Sequence, residues 1–146
     1  MPQTCEEVKG KLRRILSDVD AVACTTDLWT SSRTQALYLT VTAHFVVGVE
    51  MRTAVLDTKP LPQQHTAQSI ADVVQEILMA YDVQHKVVCF VTDNGANVKA
   101  ALRIMGYRHV PYTAHTINVL VKEAPKAAVA IMAAFVKVKN IVTYFR

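Results

Sequence analysis

Cysteine is scarce and unpaired. The chain has three in 146 residues, Cys5, Cys24 and Cys89, an odd number with no Cys-x-x-Cys pair. A disulfide framework or a zinc finger needs denser, regularly spaced ligands. Neither is expected, and a reducing compartment, cytosol or nucleus, fits best. Long hydrophobic runs are missing too. The most apolar stretch, Ala127 to Val136, falls short of the roughly 20 residues that cross a bilayer. The N-terminus carries no apolar signal-peptide core, so a soluble protein with no membrane role is expected. There is no internal repeat, low-complexity tract or linker-like segment. Carboxylates run out early: after Asp93 only Glu123 remains.

What is present is enough for one compact domain. Apolar residues make up 51% of the chain, sufficient to bury a core. The net charge of +4 permits contact with phosphate without demanding it.

The residue pattern alternates between helix and strand periods. Thr4 to Asp18 predicts a helix, with Thr4 and Glu7 at capping-box spacing and Val8, Leu12, Ile15 and Leu16 on one face. Ala21 to Thr26 predicts a buried strand, and residues 27–35 a polar connection. Leu37, Leu39, Val41, Ala43 and Phe45 alternate with Tyr38, Thr40, Thr42 and His44, the period of a half-buried strand. Gly48 marks a turn. Met51 to Leu56 predicts a third strand ended by Pro60 and Pro62. A helix capped by Thr66 follows, carrying Ile70, Val73, Val74, Ile77, Leu78 and Tyr81 at helical spacing. Lys86 to Val91 reads as a strand buried on both faces. Next comes a helix capped by Asp93 or Asn97 and stopped by Gly106, then a short strand over His109 to Tyr112. Ile117, Leu120, Val121 and Ala124 suit another helix, as do Ile131, Phe135, Val138, Val142 and Phe145 beyond Pro125.

Short links make the first three strands an antiparallel meander, whereas a strand reached through a helix is a parallel partner. Setting the fourth strand beside the first gives a mixed α/β sheet. Asp27 and Asp93 then end adjacent parallel strands at one edge, where ligands of open α/β sheets bind. Two readings of this pair stand open. Each aspartate is an ordinary turn or cap residue, or the two converge on Mg²⁺ or Mn²⁺, hard ions that take oxygen ligands.

Five blocks then occur in a characteristic order: Thr25-Thr26-Asp27-Leu28-Trp29-Thr30-Ser31; Leu39-Thr40-Val41-Thr42-Ala43-His44-Phe45; His65-Thr66-Ala67-Gln68-Ser69-Ile70; Thr92-Asp93-Asn94-Gly95-Ala96-Asn97; and Ala114-His115-Thr116-Ile117-Asn118-Val119. Together, from about Cys5 to Ala124, they resemble the ribonuclease-H-like catalytic domain of hAT-family transposases and of the BED-type zinc-finger proteins derived from them. The resemblance implies a mixed five-stranded sheet flanked by helices over 1–124, with 125–146 opening a helical insertion region. It implies that Asp27 and Asp93 are the first two members of an Asp-Asp-Glu metal triad. The glutamate of that family lies beyond the insertion, and Arg146 falls roughly where the insertion begins. The sequence also lacks the upstream BED finger and the C-terminal dimerisation region. The family's usual Cys-x-x-His has Tyr112 in place of the cysteine and keeps His115.

With two of three carboxylates, the chain is expected to be a truncated, non-catalytic remnant or regulatory fragment acting in the nucleus. The alternative is a domesticated DNA- or chromatin-binding protein using the fold as an interaction platform. A third option is a stand-alone enzyme drawing its missing carboxylate from Glu50, Asp57 or Glu76. DNA-contact candidates are Trp29, Arg33, His115, Lys137 and Lys139. Trp29 stacks on a base or packs against a flipped nucleotide, or is partial core. His115 meets phosphate or caps a helix. The lysines meet phosphates or line a solvated face. The apolar repeat from Ile131 to Phe145 favours self-association if exposed.

Overall fold

A computed structural model describes residues 2–61, 66–93, 95–114, 117 and 136–137. In chain order the elements are α1 (Pro2–Ser17), β1 (Val22–Thr30), β2 (Leu37–Val47), β3 (Glu50–Leu61), α2 (Ala67–Ala80), β4 (Val87–Thr92), α3 (Ala96–Met105) and β5 (His109–Pro111). The strands form one sheet in the order β3-β2-β1-β4-β5. β1, β2 and β3 pair antiparallel, while β4 lies parallel to β1 and β5 parallel to β4. This is the expected mixed α/β sheet, with the strand reached through a helix set beside the first. Residues Met1–Pro111 make one compact unit and Tyr112–Arg146 a second. In the latter, residues 113–114, 117 and 136–137 are helical. Most of the two helices expected there, and the boundary expected at Ala124, lie outside the described residues.

One face of the sheet makes the core. Cys24, Leu39, Val41, Ala43, Phe45 and Phe90 are buried there in one cluster with Leu16 of α1, Ile70, Val74, Ile77 and Leu78 of α2, and Val98, Ala101 and Leu102 of α3. Period two in the strands and period 3.6 in the helices bring these residues onto facing surfaces. Two side-chain contacts fasten the C-terminal end of α1. Lys86 Nζ donates to the carbonyls of Leu16 and Ser17 at 2.9 and 2.8 Å. Arg13 Nε donates to the carbonyl of Ala80 at 2.8 Å.

Several boundaries differ from the expected ones, each for a physical reason. α1 begins at Pro2, a favoured first helical residue, so Thr4 lies inside the helix instead of capping it. Val8 and Ile15 of that helix are exposed, and only Leu12 and Leu16 reach the core. β1 continues to Thr30 because β2 still pairs with it as far as Thr30↔Leu37. The polar residues at 27–30 therefore mark the exposed side of a strand, not a loop. β3 runs through Pro60, opposite Tyr38, which its position at the sheet edge permits. β4 is not buried on both faces, since Val88 is exposed. Gly95 is the N-cap of α3, with no side-chain cap bond, so neither Asp93 nor Asn97 fills that position. β5 stops at Pro111.

Thr66 does cap α2, its hydroxyl accepting from the Ser69 amide at 3.2 Å. Gly106 ends α3 at φ +76° and Gly48 turns β2 into β3 at φ +64°. Both are left-handed conformations that glycine adopts without a Cβ penalty.

Candidate functional site

The parallel pairing of β1 and β4 ends at Thr26↔Thr92. The next residue on each strand is an aspartate, so Asp27 and Asp93 stand at one level on neighbouring chains. The last paired rung before them, Thr26↔Thr92, has the ordinary strand spacing of about 4.8 Å. Both carboxylates are exposed. Asp93 is held in place, with Oδ1 accepting from the Gly95 amide at 3.1 Å. Behind it, Thr92 Oγ1 donates to the Asp93 carbonyl at 2.7 Å and is joined to His109 Nε2 at 3.1 Å. Asp27 faces the open side of the sheet, opposite Thr40 of β2.

That open side carries a polar and aromatic strip. His44 bridges two hydroxyls, with Nε2 to Thr25 at 3.2 Å and Nδ1 to Thr53 at 3.0 Å. Trp29 lies two residues beyond Asp27 and is 46% exposed, so it is not core. It stacks on Tyr38 at 4.8 Å between ring centroids and 17° between planes, and its Nε1 donates to Thr40 Oγ1 at 3.2 Å. Thr40 Oγ1 is in turn joined to Thr58 Oγ1 at 3.0 Å.

Of the other candidate residues, Arg33 is exposed in the β1–β2 turn, at the carboxylate end of the sheet. Lys137 is helical and exposed. His115 and Lys139 lie outside the described residues. None of the three proposed replacement carboxylates joins Asp27 and Asp93. Glu50 pairs with Arg52 beside the Gly48 turn. Asp57, two strands away, binds the Thr58 amide through Oδ1. Glu76 pairs with Lys59. Among the described residues no group of three or more His, Cys, Asp or Glu converges.

The donor chemistry fits one hard dication. Mg²⁺ is commonly held by one or two carboxylates with water and substrate phosphate completing the octahedron. A symmetric two-ion clamp asks for more carboxylate than these two residues supply. Tyr38, Thr40, Thr58 and His109 were not identified from sequence as parts of this region. Their partnerships come from cross-strand register, which carries no local signal.

Comparison with known proteins decides the descent. The ZBED1 RNase-like domain family matches residues 25–111, more than half of the chain, with Asp27, Trp29 and Asp93 inside the match. The chain belongs to that family. It is a hAT transposase-derived RNase-H-like domain, as the five sequence blocks imply. The Hobo transposable-element transposase of Drosophila melanogaster is 30% identical over 113 residues, covering 75% of this chain and 17% of its own length. A protein named "Putative transcriptional regulator tpeD" in Talaromyces stipitatus is 24% identical over 137 residues, covering 84% of this chain and 16% of its own. The RNase-like domain thus spans about a sixth of either relative. Among solved structures, the catalytic core domain of HTLV-2 integrase in complex with magnesium is similar at 12% identity and a TM-score of 0.35, over 75% of each chain. No helix of this RNase-like domain is long and apolar enough to cross a membrane, among the described residues.

Proposed function

We propose that this chain carries the first half of a metal-dependent DNA-processing site, in which Asp27 and Asp93 hold one Mg²⁺ or Mn²⁺ ion against a DNA phosphate. The register Thr26↔Thr92 supports the reading, because Asp27 and Asp93 each directly follow this last rung in a family of transposase descent. When bound, such an ion polarises a phosphoryl oxygen and acidifies its water. The chain's own residues position. The Gly95 amide and the Thr92–His109 pair hold Asp93, while Asp27 is fixed by strand pairing on both sides of Thr26. Arg33, His115, Lys137 and Lys139 meet DNA phosphates, and Trp29 meets the DNA beside Asp27. Two carboxylates leave a two-ion mechanism incomplete, so residues 1–146 alone bind DNA and metal without cutting. The site of action is the nucleus. The apolar spacing of Ile131, Phe135, Val138 and Val142 supports self-association through that segment.

The test is Mn²⁺ binding followed by solvent-proton relaxation, together with a plasmid-nicking assay. Asp27→Asn and Asp93→Asn are each expected to weaken Mn²⁺ binding by about tenfold or more, with no nicking by the parent chain. Mg²⁺-dependent nicking abolished by Asp27→Asn would overturn the non-catalytic part. Mn²⁺ binding untouched by either variant would overturn the metal role.

The similarity to a protein described as a transcriptional regulator favours a second reading, an interaction platform on the same fold. There, Asp27→Asn leaves partner binding intact and charge reversal at Lys137 and Lys139 removes it.

A further inference from the structure

β3 is an outer strand of the sheet, partnered by β2 alone among the described residues. It runs for 12 residues, and no described turn or loop backbone group bonds to it. A long edge with open N–H and C=O groups is a template for another strand. Pairing with β2 gives each residue of β3 a face. Arg52, Ala54, Asp57 and Lys59 stand opposite the buried Phe45, Ala43, Val41 and Leu39, so they take the core side. Glu50, two residues before Arg52, shares that side. Met51, Thr53, Val55 and Thr58 take the open side. The phase changes at Leu56, an extra residue between the Val55 and Asp57 rungs. Leu56 is buried and its carbonyl accepts from the Tyr81 hydroxyl at 2.7 Å, which holds the bulge in place.

We propose that β3 pairs antiparallel with β3 of a second copy of this chain, about a two-fold axis at Ala54. Residues directly opposite in a sheet share a face, and a two-fold contact must be self-complementary. Counted with the bulged Leu56 left out, an axis at Ala54 sets core-side residues only against core-side ones. Glu50 then meets Lys59 of the second copy and Arg52 meets Asp57, so both charged rungs join opposite signs, each of them twice. On the open side the exposed apolar Met51 and Val55 meet Thr58 and Thr53. The neighbouring registers fail. With the axis at Thr53, Glu50 faces Asp57, and with it at Val55, Arg52 faces Lys59. Like charges directly opposite destabilise a sheet. An axis between residues sets core-side against open-side positions, which breaks the burial pattern on both chains. The charge order thus selects one register, and a second copy carries the matching order by construction.

The full chain is followed by sedimentation equilibrium over a concentration series. Lys59 already pairs with Glu76, so the Arg52–Asp57 rung is the one to change. The parent is expected to dimerise. Arg52→Asp alone sets carboxylate against carboxylate across the axis, and Asp57→Arg alone sets guanidinium against guanidinium. Each is expected to weaken dimerisation on the order of tenfold or more, while Arg52→Lys keeps the dimer. An equimolar mixture of Arg52→Asp and Asp57→Arg chains has opposite charges on both rungs and is expected to dimerise near the parent's level. Recovery in the mixture also shows that both variants fold. A parent that stays monomeric throughout the series would overturn the β3 pairing. The same holds for a mixture no more associated than its components. Charge variants that associate as the parent does would overturn it too, and would leave self-association to the Ile131 to Val142 segment.

Discussion

At the scale of single residues, neighbours across strands set the chemistry more than neighbours in sequence do. Cys24 shows this. Burial in the core pushes its thiol up from 9.0 to about 12, with Cys89 adding to the effect. The fold thus keeps a proton that the unfolded chain releases. The stability tied to this group is complete below pH 9.0 and is lost as pH rises toward about 12. Burial, and secondarily Cys24, raise the Tyr107 hydroxyl in the same direction. Denaturant midpoints followed across this alkaline range should therefore fall in the parent and fall less steeply in Cys24→Ala. An identical slope would show that the thiol ionises in the fold as it does in the open chain. Asp27 and Asp93 were legible as a pair from the polar residues that follow each apolar run. Trp29 was legible only as a choice between stacking and core, since one indole fits both, and its exposure sets it outside the core cluster.

At the scale of elements, the Thr66 start of α2 and the Gly106 stop of α3 were read well, whereas the starts of α1 and α3 and the ends set by a partner strand were not. Thr66 stops α2 from fraying with its own hydroxyl, so Thr66→Ala should cost about 1 kcal/mol, measurable by urea unfolding. Gly106 holds φ +76° in open space, so Gly106→Ala should cost about 1 kcal/mol through backbone strain alone. A Gly106→Ala protein as stable as the parent would mean that the α3 terminus relaxes without loss. β1 and β3 overran their expected limits for the other reason. Strand length is set by how far the neighbour goes on offering hydrogen-bonding groups, and β2 goes on past Asp27 and past Pro60. Polarity at 27–30 and proline at 60 report exposure and edge position, which sequence alone reads as loop and stop.

At the scale of the whole molecule, the buried core cluster among the described residues lies between Leu16 and Leu102, inside the unit that ends at Pro111. A chain cut after Pro111 should therefore unfold in one cooperative transition, followed by circular dichroism. Within it, Phe90→Ala, which empties a fully buried position, should cost about 3–5 kcal/mol, a large part of the about 5–15 kcal/mol that holds such a domain together. Gradual melting of the shortened chain would show that residues beyond Pro111 are needed for a single core. The sequence by itself determined the α/β class, the order of the elements, the placing of the fourth strand beside the first and the transposase descent. Periodicity, link length and motif order are properties of the chain in one dimension. Only the tertiary structure decided that Asp27 lies within a strand yet level with Asp93, that Trp29 is tethered and open, and that Glu50, Asp57 and Glu76 are spoken for elsewhere. Those facts depend on which residue faces which across a sheet, and a register is a relation between segments that no single segment encodes.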